Sequence, residues 1–450
     1  MLKKLPSQPQ LEMYKTVLVS FINPEHELCL LAKKIDWDTL EKEFSSLYAK
    51  VGRPSIPIRT IVGLLLLKQI YDLGDETVMD RYIDSPYFQH FCGEIYFQYD
   101  YPFDPSDFVH FRKRIGEEGM KVIFKQSIDL FGKERVRKEV REVRVDTTVQ
   151  EKNITFPTDR KLIEKVIGHC KRISEEEGIK LKRTYGREIK KLKHQLRFAR
   201  KPKNMNKLRK AQRRLHRIAW KIYHDLVNQL NPIPISYMKE FDVLYRVLTQ
   251  KRDDTNKVYS VHEPEVLCIS KGKEHKPYEF GNKSSFAYTR ESGIIVGAMA
   301  VDGNAYDGHT LEPQLDQIKE LTEGKIKKAI VDRGYKIKGG IKGVDIVMPK
   351  TLKRESYYLK KKREERCRSR AGIEGLISHL KHDHRMLRNY LSGTAGDKIN
   401  TLLAAAAYNM KKWMRLEKQK ILTLIFSLIY QSLVLVPVNI QSYRMNKKSI

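Results

Sequence analysis

Residues 143–149 read VRVDTTV. Val143, Val145 and Val149 fall on one side of a two-residue alternation, which predicts a β-strand. Further strand signals return only much later in the chain. VYSVHEPEVLCI, within residues 257–269, predicts a hairpin or strand pair. GIIVGAMAV (293–301) is a continuous apolar run suited to a buried central strand. KAIV (328–331) and VDIVM (344–348) are two shorter ones. Helices are expected over 311–321, 360–381 and 395–416. Strands mixed with helices in this way indicate an α/β domain.

The flanking regions are built differently. Residues 1–135 read as helical, with an apolar-rich helix at 58–73 (IRTIVGLLLLKQIYDL). A second helix is expected from Asp104-Pro105-Ser106, with Ser106 as its N-cap. Phe108, Phe111 and Ile115 share one face of it, and Arg112, Lys113 and Arg114 are expected to point elsewhere. An exposed basic face of this kind suits a helix-turn-helix-like DNA-binding domain, and a helical dimerisation bundle reads the pattern equally well. Residues 159–235 form an insertion. Tyr185, Ile189, Leu192, Leu196 and Ala199 make one heptad seam, and Leu208, Ala211, Leu215, Ile218 and Ile222 make another. With Pro202 between them, these predict an antiparallel hairpin. Its outer faces carry Arg187, Lys190, Lys191, Lys193, Arg197, Arg200, Lys207, Arg209, Lys210, Arg213, Arg214 and Arg217.

In 450 residues, 86 Lys and Arg oppose 55 Asp and Glu, a net charge of +31. Such a field attracts polyanions, and nucleic acid releases counterions when its phosphates are neutralised. The five cysteines, none in a C-x-x-C pair, exclude a disulfide framework and a zinc finger. Residues 1–21 lack a signal-peptide core, and a cytoplasmic location is expected. ILTLIFSLIYQSLVLVPV (421–438) carries no charge and approaches a membrane span in length. Its Thr, Ser and Gln residues favour a buried helix or helix-strand piece instead.

Three acids stand out. Asp146 sits inside the first strand, where a charge is costly to bury unless paired or bound to metal. Asp332 ends an apolar strand and is followed by Arg333-Gly334-Tyr335, the strand end at which α/β sheets present functional groups. Glu374 shares one narrow helix stripe with Arg370 and Lys381. Two divalent ions about 3.5–4 Å apart serve phosphodiester cleavage, and carboxylates are fitting ligands for Mg²⁺. Arg370 and Lys381 suit the flanking phosphates. His379, His382 and His384 lack the geometry of a zinc site, and His309 reads as a loop residue.

With VDTTVQEKNITFPTD, D-R-G-Y at 332–335 and R-x-x-x-E-x-x-x-x-x-x-K at 370–381, the chain resembles bacterial insertion-sequence DDE transposases of the insertion-sequence-five family. HKPYEFGNK (275–283), VDGNAYDGHTLEPQL (301–315) and RPSIPIRTIVGLLLLKQIYDLGDETVMDRYIDSPYFQHFCG (53–93) also look like family segments. The family's tyrosine before the arginine is Cys367 here. The resemblance implies an RNase H-like α/β fold at 140–158 and 236–416, an N-terminal helical DNA-binding or dimerisation domain (1–135), the inserted basic hairpin (159–235) and a C-terminal tail (417–450). It implies Asp146, Asp332 and Glu374 as catalytic metal ligands for two Mg²⁺ or Mn²⁺ ions. It implies binding to terminal inverted repeats, nicking, transfer of the 3′-OH to target DNA, and a homodimer. An inactive DNA-binding protein of the same fold and a related metal-dependent nuclease are the alternatives.

Overall fold

The computed structural model describes residues 16–48, 55–197, 205–270, 276–335, 340–349, 356–369 and 372–435. It begins with helices α1 (Glu27–Lys34), α2 (Trp37–Ser45), α3 (Ile58–Ile70), α4 (Asp75–Asp84), α5 (Pro86–Phe91), α6 (Asp107–Asp129) and α7 (Lys133–Glu139). Strand β1 (Glu142–Glu151) follows, then α8 (Asp159–Glu176), α9 (Gly186–Arg197), α10 (Met205–Gln229) and α11 (Ile235–Thr249). The rest is β2 (Leu267–Ser270), β3 (Tyr278–Thr289), β4 (Ile295–Ala300), α12 (Asp307–Thr322), β5 (Lys328–Ile330), β6 (Asp345–Val347), α13 (Tyr357–Ser369), α14 (Gly372–Asp383) and α15 (Gly393–Leu435).

The strands form one mixed sheet. β1 pairs antiparallel with β3 along one edge and parallel with β5 along the other. β6 continues the parallel side. β2 and β4 divide the far edge of β3 between them, β2 beside residues 278–281 and β4 beside 284–288. Alternation alone does not explain β3. Its Asn282, Ser284 and Ser285 are buried, and Asn282 and Ser284 bond to Asp397 and Thr401 of α15.

α3 is buried all round, from Ile58 through Ile70 except Arg59. It packs on α15, which also lies against α6 and β4. One hydrophobic cluster therefore runs from Leu28 through the sheet to Met414, joining the first helices to the strands. The insertion has a second cluster of its own, from Leu162 to Val261.

Several expectations need correction. The two arms of the hairpin are present as α9 and α10, but α8 and α11 close a four-helix unit around them. Only Leu267–Ser270 of the expected 257–269 pair is a strand, because Val258 and Val261 are spent on the insertion's core. The expected 360–381 helix is helical over Tyr357–Ser369 and Gly372–Asp383, with residues 370 and 371 outside the described residues. α14 packs Ile373, Leu376 and Leu380 inward, whereas the described side chains of α13 are half-buried or exposed. Arg112 is buried, not part of an exposed basic face. It meets Asp75 through two bonds of 3.0 and 2.9 Å, because Asp75 also balances the buried Lys68 at 2.6 Å. Arg214 is likewise taken up by Glu188, at 2.6 and 3.0 Å. The apolar segment after Ile421 continues α15 as helix, but Leu422, Leu424, Ile425 and Phe426 are exposed. Among the described residues no helix is long and apolar enough to cross a membrane.

Candidate catalytic site

The sheet register brings two of the acids together. Glu142, Val143 and Arg144 of β1 pair in parallel with Lys328, Ala329 and Ile330 of β5. Two steps further along that register, Asp146 stands level with Asp332, just past the end of β5. Neighbouring strands lie about 4.8 Å apart, and level residues of a parallel pair project to the same face. Val143 and Val145 are fully buried on the opposite face, which locks the register against a one-residue slip. Asp146 is half-buried and accepts the Thr147 N–H at 2.8 Å.

Asp332 is half-buried and accepts the Gly334 N–H at 2.6 Å, closing a tight turn. A Cβ at position 334 would lie 2.8 Å from that same oxygen, so the turn calls for glycine. The Tyr306 hydroxyl donates to the Gly334 carbonyl and ties the turn to the start of α12. The next residue, Tyr335, is fully buried, and its hydroxyl has no hydrogen-bond partner among the described residues. Burial pushes its phenol well above the ordinary value. Asp146, Asp307 and Asp332 push it the same way. Three carboxylates therefore act on one buried oxygen. Asp307 is the one that sequence reading missed. It opens α12 and is held at 3.0 Å by Lys283 of β3, which also donates to the Ala305 carbonyl at 3.0 Å. Both lie in the segments quoted above, 275–283 and 301–315, but nothing in their spacing tells that they meet.

Glu374 occupies the first turn of α14 and is exposed. α14 packs on β1. A Cβ at Gly372 would come within 3.9 Å of Arg144 Nη1 and 4.0 Å of the Tyr288 hydroxyl. Arg144 and Asp146 are two residues apart on β1 and share a face, so α14 begins on the face that Asp146 uses. Lys381 is half-buried in the last turn of α14, one narrow stripe from Glu374. Arg370 lies outside the described residues. Among the described residues, no group of three His, Cys, Asp or Glu is arranged to hold a metal ion. Asp146 and Asp332 stand level on neighbouring strands, and Glu374 lies on α14.

The site is anchored from below. Glu142 accepts from Arg290 at 2.9 Å and from Arg366 of α13 at 3.0 Å. Burial works against its carboxylate, but those two bonds outweigh it and hold it below the usual range. The histidines serve other ends. His379 bonds Asp383 at 2.8 Å, His384 is buried against Gln69, and His309 is exposed beside Tyr306.

Two family models match the chain. Residues 16–114 match "Transposase domain (DUF772)" and residues 249–410 match "Transposase DDE domain". "Uncharacterized protein ORF8 in nfe locus" of Rhizobium meliloti is 38% identical over 185 residues, covering 40% of this chain and 89% of that protein. No solved structure matches.

Proposed function

Because the chain belongs to the insertion-sequence transposases, we propose that it binds terminal inverted repeats, nicks them hydrolytically and transfers the freed 3′-OH to target DNA. Within that group we assign it to the insertion-sequence-five family, on the motifs around Asp332 and Glu374. The observation that carries the reading is the level placement of Asp146 and Asp332 on neighbouring parallel strands. The sheet supports an RNase H-like reading of the fold: antiparallel strands continued by two parallel ones, with the acid-bearing chains side by side at its centre.

Asp146, Asp332 and Glu374 would hold two Mg²⁺ or Mn²⁺ ions. The donor set, carboxylate oxygens, fits hard oxygen-seeking cations. When bound, such ions supply positive charge to the attacking and leaving oxygens of the phosphodiester. The chain's own part is positioning. Gly334 and Tyr306 fix Asp332 in its turn. α14 carries Glu374 on the face that Asp146 uses. Arg370 and Lys381 bind the phosphates beside the cut. The protein acts as a homodimer on DNA in the cytoplasm, associated with the nucleoid.

The test is metal-dependent nicking of a duplex carrying the element's terminal repeat. Asp146→Asn, Asp332→Asn and Glu374→Gln should each abolish nicking and leave DNA binding intact. If all three variants nick normally, the triad is wrong. Nicking without a joined product from a pre-cleaved end would make the protein a nuclease. Tight binding without any cutting would make it an inactive DNA-binding protein.

A further inference from the structure

The insertion carries a basic cleft far in sequence from the three acids. Its volume is ≈ 710 Å³, and it lies against α10, α8 and α11. Arg209, Arg213 and Arg217 line it, together with Gln212 and His216 of the same helix. Leu162, Ile163 and Val247 supply an apolar floor.

These arginines differ from the rest of the basic surface. Four of the insertion's acids are committed elsewhere: Glu188 to Arg214, Glu164 to Lys193 at 3.3 Å, and Glu176 and Glu240 to Arg172. Arg209, Arg213 and Arg217 are exposed and have no ion pair among the described residues. Asp159, at one end of the cleft, is the acid in its lining. Three like charges one helical turn apart repel one another unless an anion with repeated charges relieves them. They span about 12 Å along the helix axis.

An aromatic face continues the same stripe. The His216 ring meets Trp220 edge-on at 6.4 Å, Trp220 stacks on His224 at 4.9 Å, and Tyr245 of α11 meets Trp220 edge-on at 5.9 Å. Tyr245 and His224 are exposed and Trp220 is partly so. At about 100° per residue, Arg209, Arg213, His216, Arg217, Trp220 and His224 fall within a sector of about 100°. A duplex hides its base faces and would use only the arginines. An unpaired strand offers phosphates and stackable base faces together, which is how single strands are held without sequence preference.

We propose that this cleft is a track for unpaired DNA, with phosphates on Arg209, Arg213 and Arg217 and bases against Trp220, His224 and Tyr245. The proposal rests on the DNA-recombination reading and adds a single-stranded substrate to it.

The test uses the full chain and a fluorescein-labelled, mixed-sequence 12-nucleotide strand, read by anisotropy at several salt concentrations, with a duplex of the same sequence as comparison. Arg209→Gln/Arg213→Gln/Arg217→Gln should weaken single-strand binding at least tenfold. It should also lower the slope of log K against log salt by about 2, since each of the three phosphate contacts on a single strand contributes about 0.7. Trp220→Leu should weaken single-strand binding about fivefold or more and leave duplex binding unchanged, with Trp220→Phe restoring most of the loss. Unchanged single-strand binding in the triple variant would overturn the proposal. So would equal losses on duplex and single strand in Trp220→Leu. Asp146→Asn separates the two readings: it should keep full single-strand binding whether or not it abolishes nicking.

Discussion

The Lys152 ammonium and the Asp397 carboxylate meet at 3.0 Å, with side chains only 2% and 1% exposed. The pair joins the chain just past β1 to the N-terminal part of α15. Asn282 and Asn389 complete the carboxylate at 2.5 and 2.7 Å, and Lys152 also donates to the carbonyls of Leu391 and Gly393. Removing one partner of a buried pair leaves the other charge uncompensated, at about 3–5 kcal/mol. Lys152→Met should lower the unfolding free energy by that amount in urea. Adding Asp397→Leu should recover part of it, so a double variant as unstable as the sum of the singles would refute the coupling.

His384 makes stability depend on pH. Burial lowers its pKa from 6.5 to about 4, and the Gln69 carbonyl, 3.2 Å from Nδ1, only partly opposes that. A folded pKa below the unfolded one means that the unfolded chain binds the extra proton first. The contribution is therefore whole above pH 6.5 and is lost as pH falls towards 4. The fall from 6.5 to about 4 corresponds to about 3 kcal/mol. Denaturation midpoints at pH 7, 6 and 5 should fall more steeply for the natural chain than for His384→Asn. Parallel slopes would show that the ring already titrates normally.

Gly297 of β4 lies beneath α12. A Cβ there would come within 2.1 Å of Gln314 Nε2 and 2.9 Å of Ile318 Cγ1. Overpacking of this kind costs about 1–3 kcal/mol. Gly297→Ala should melt several degrees lower, whereas Gly168→Ala, with open space around the added carbon, should not.

Tyr335→Phe deletes a buried hydroxyl that lacks a hydrogen-bond partner among the described residues. An unsatisfied buried polar group costs about 1–3 kcal/mol. Without metal, the variant should be as stable as the natural chain or more so by thermal melting. A clear loss of stability would reveal a bond to that oxygen.

The parts of the fold legible in the sequence are those where one periodicity dominates. VRVDTTV, GIIVGAMAV and the two short runs around 330 and 346 all fall on strands. β3 was not legible, because Asn282, Lys283, Ser284 and Ser285 interrupt it with polar side chains whose partners lie on α12, α15 and the loop before α12. The same limit applies at the site. Asp146 and Asp332 could each be singled out, but their adjacency depends on the pairing of β1 with β5, and Asp307 enters only through Lys283. Arg112 misleads in the opposite direction. Its helical position marks it as surface, and only the distant Asp75 makes it an interior residue.

The insertion's cluster and the main cluster have no side chain in common. Separate cores melt as separate cooperative units. Calorimetry should show two transitions, and substitutions inside Leu215 or Leu226 should move only one of them. Evolution then has two independent dials: the insertion can drift, lengthen or be exchanged for another without loosening the sheet that holds the acids. The first helices have no such freedom, because they are built into the same interior as the strands.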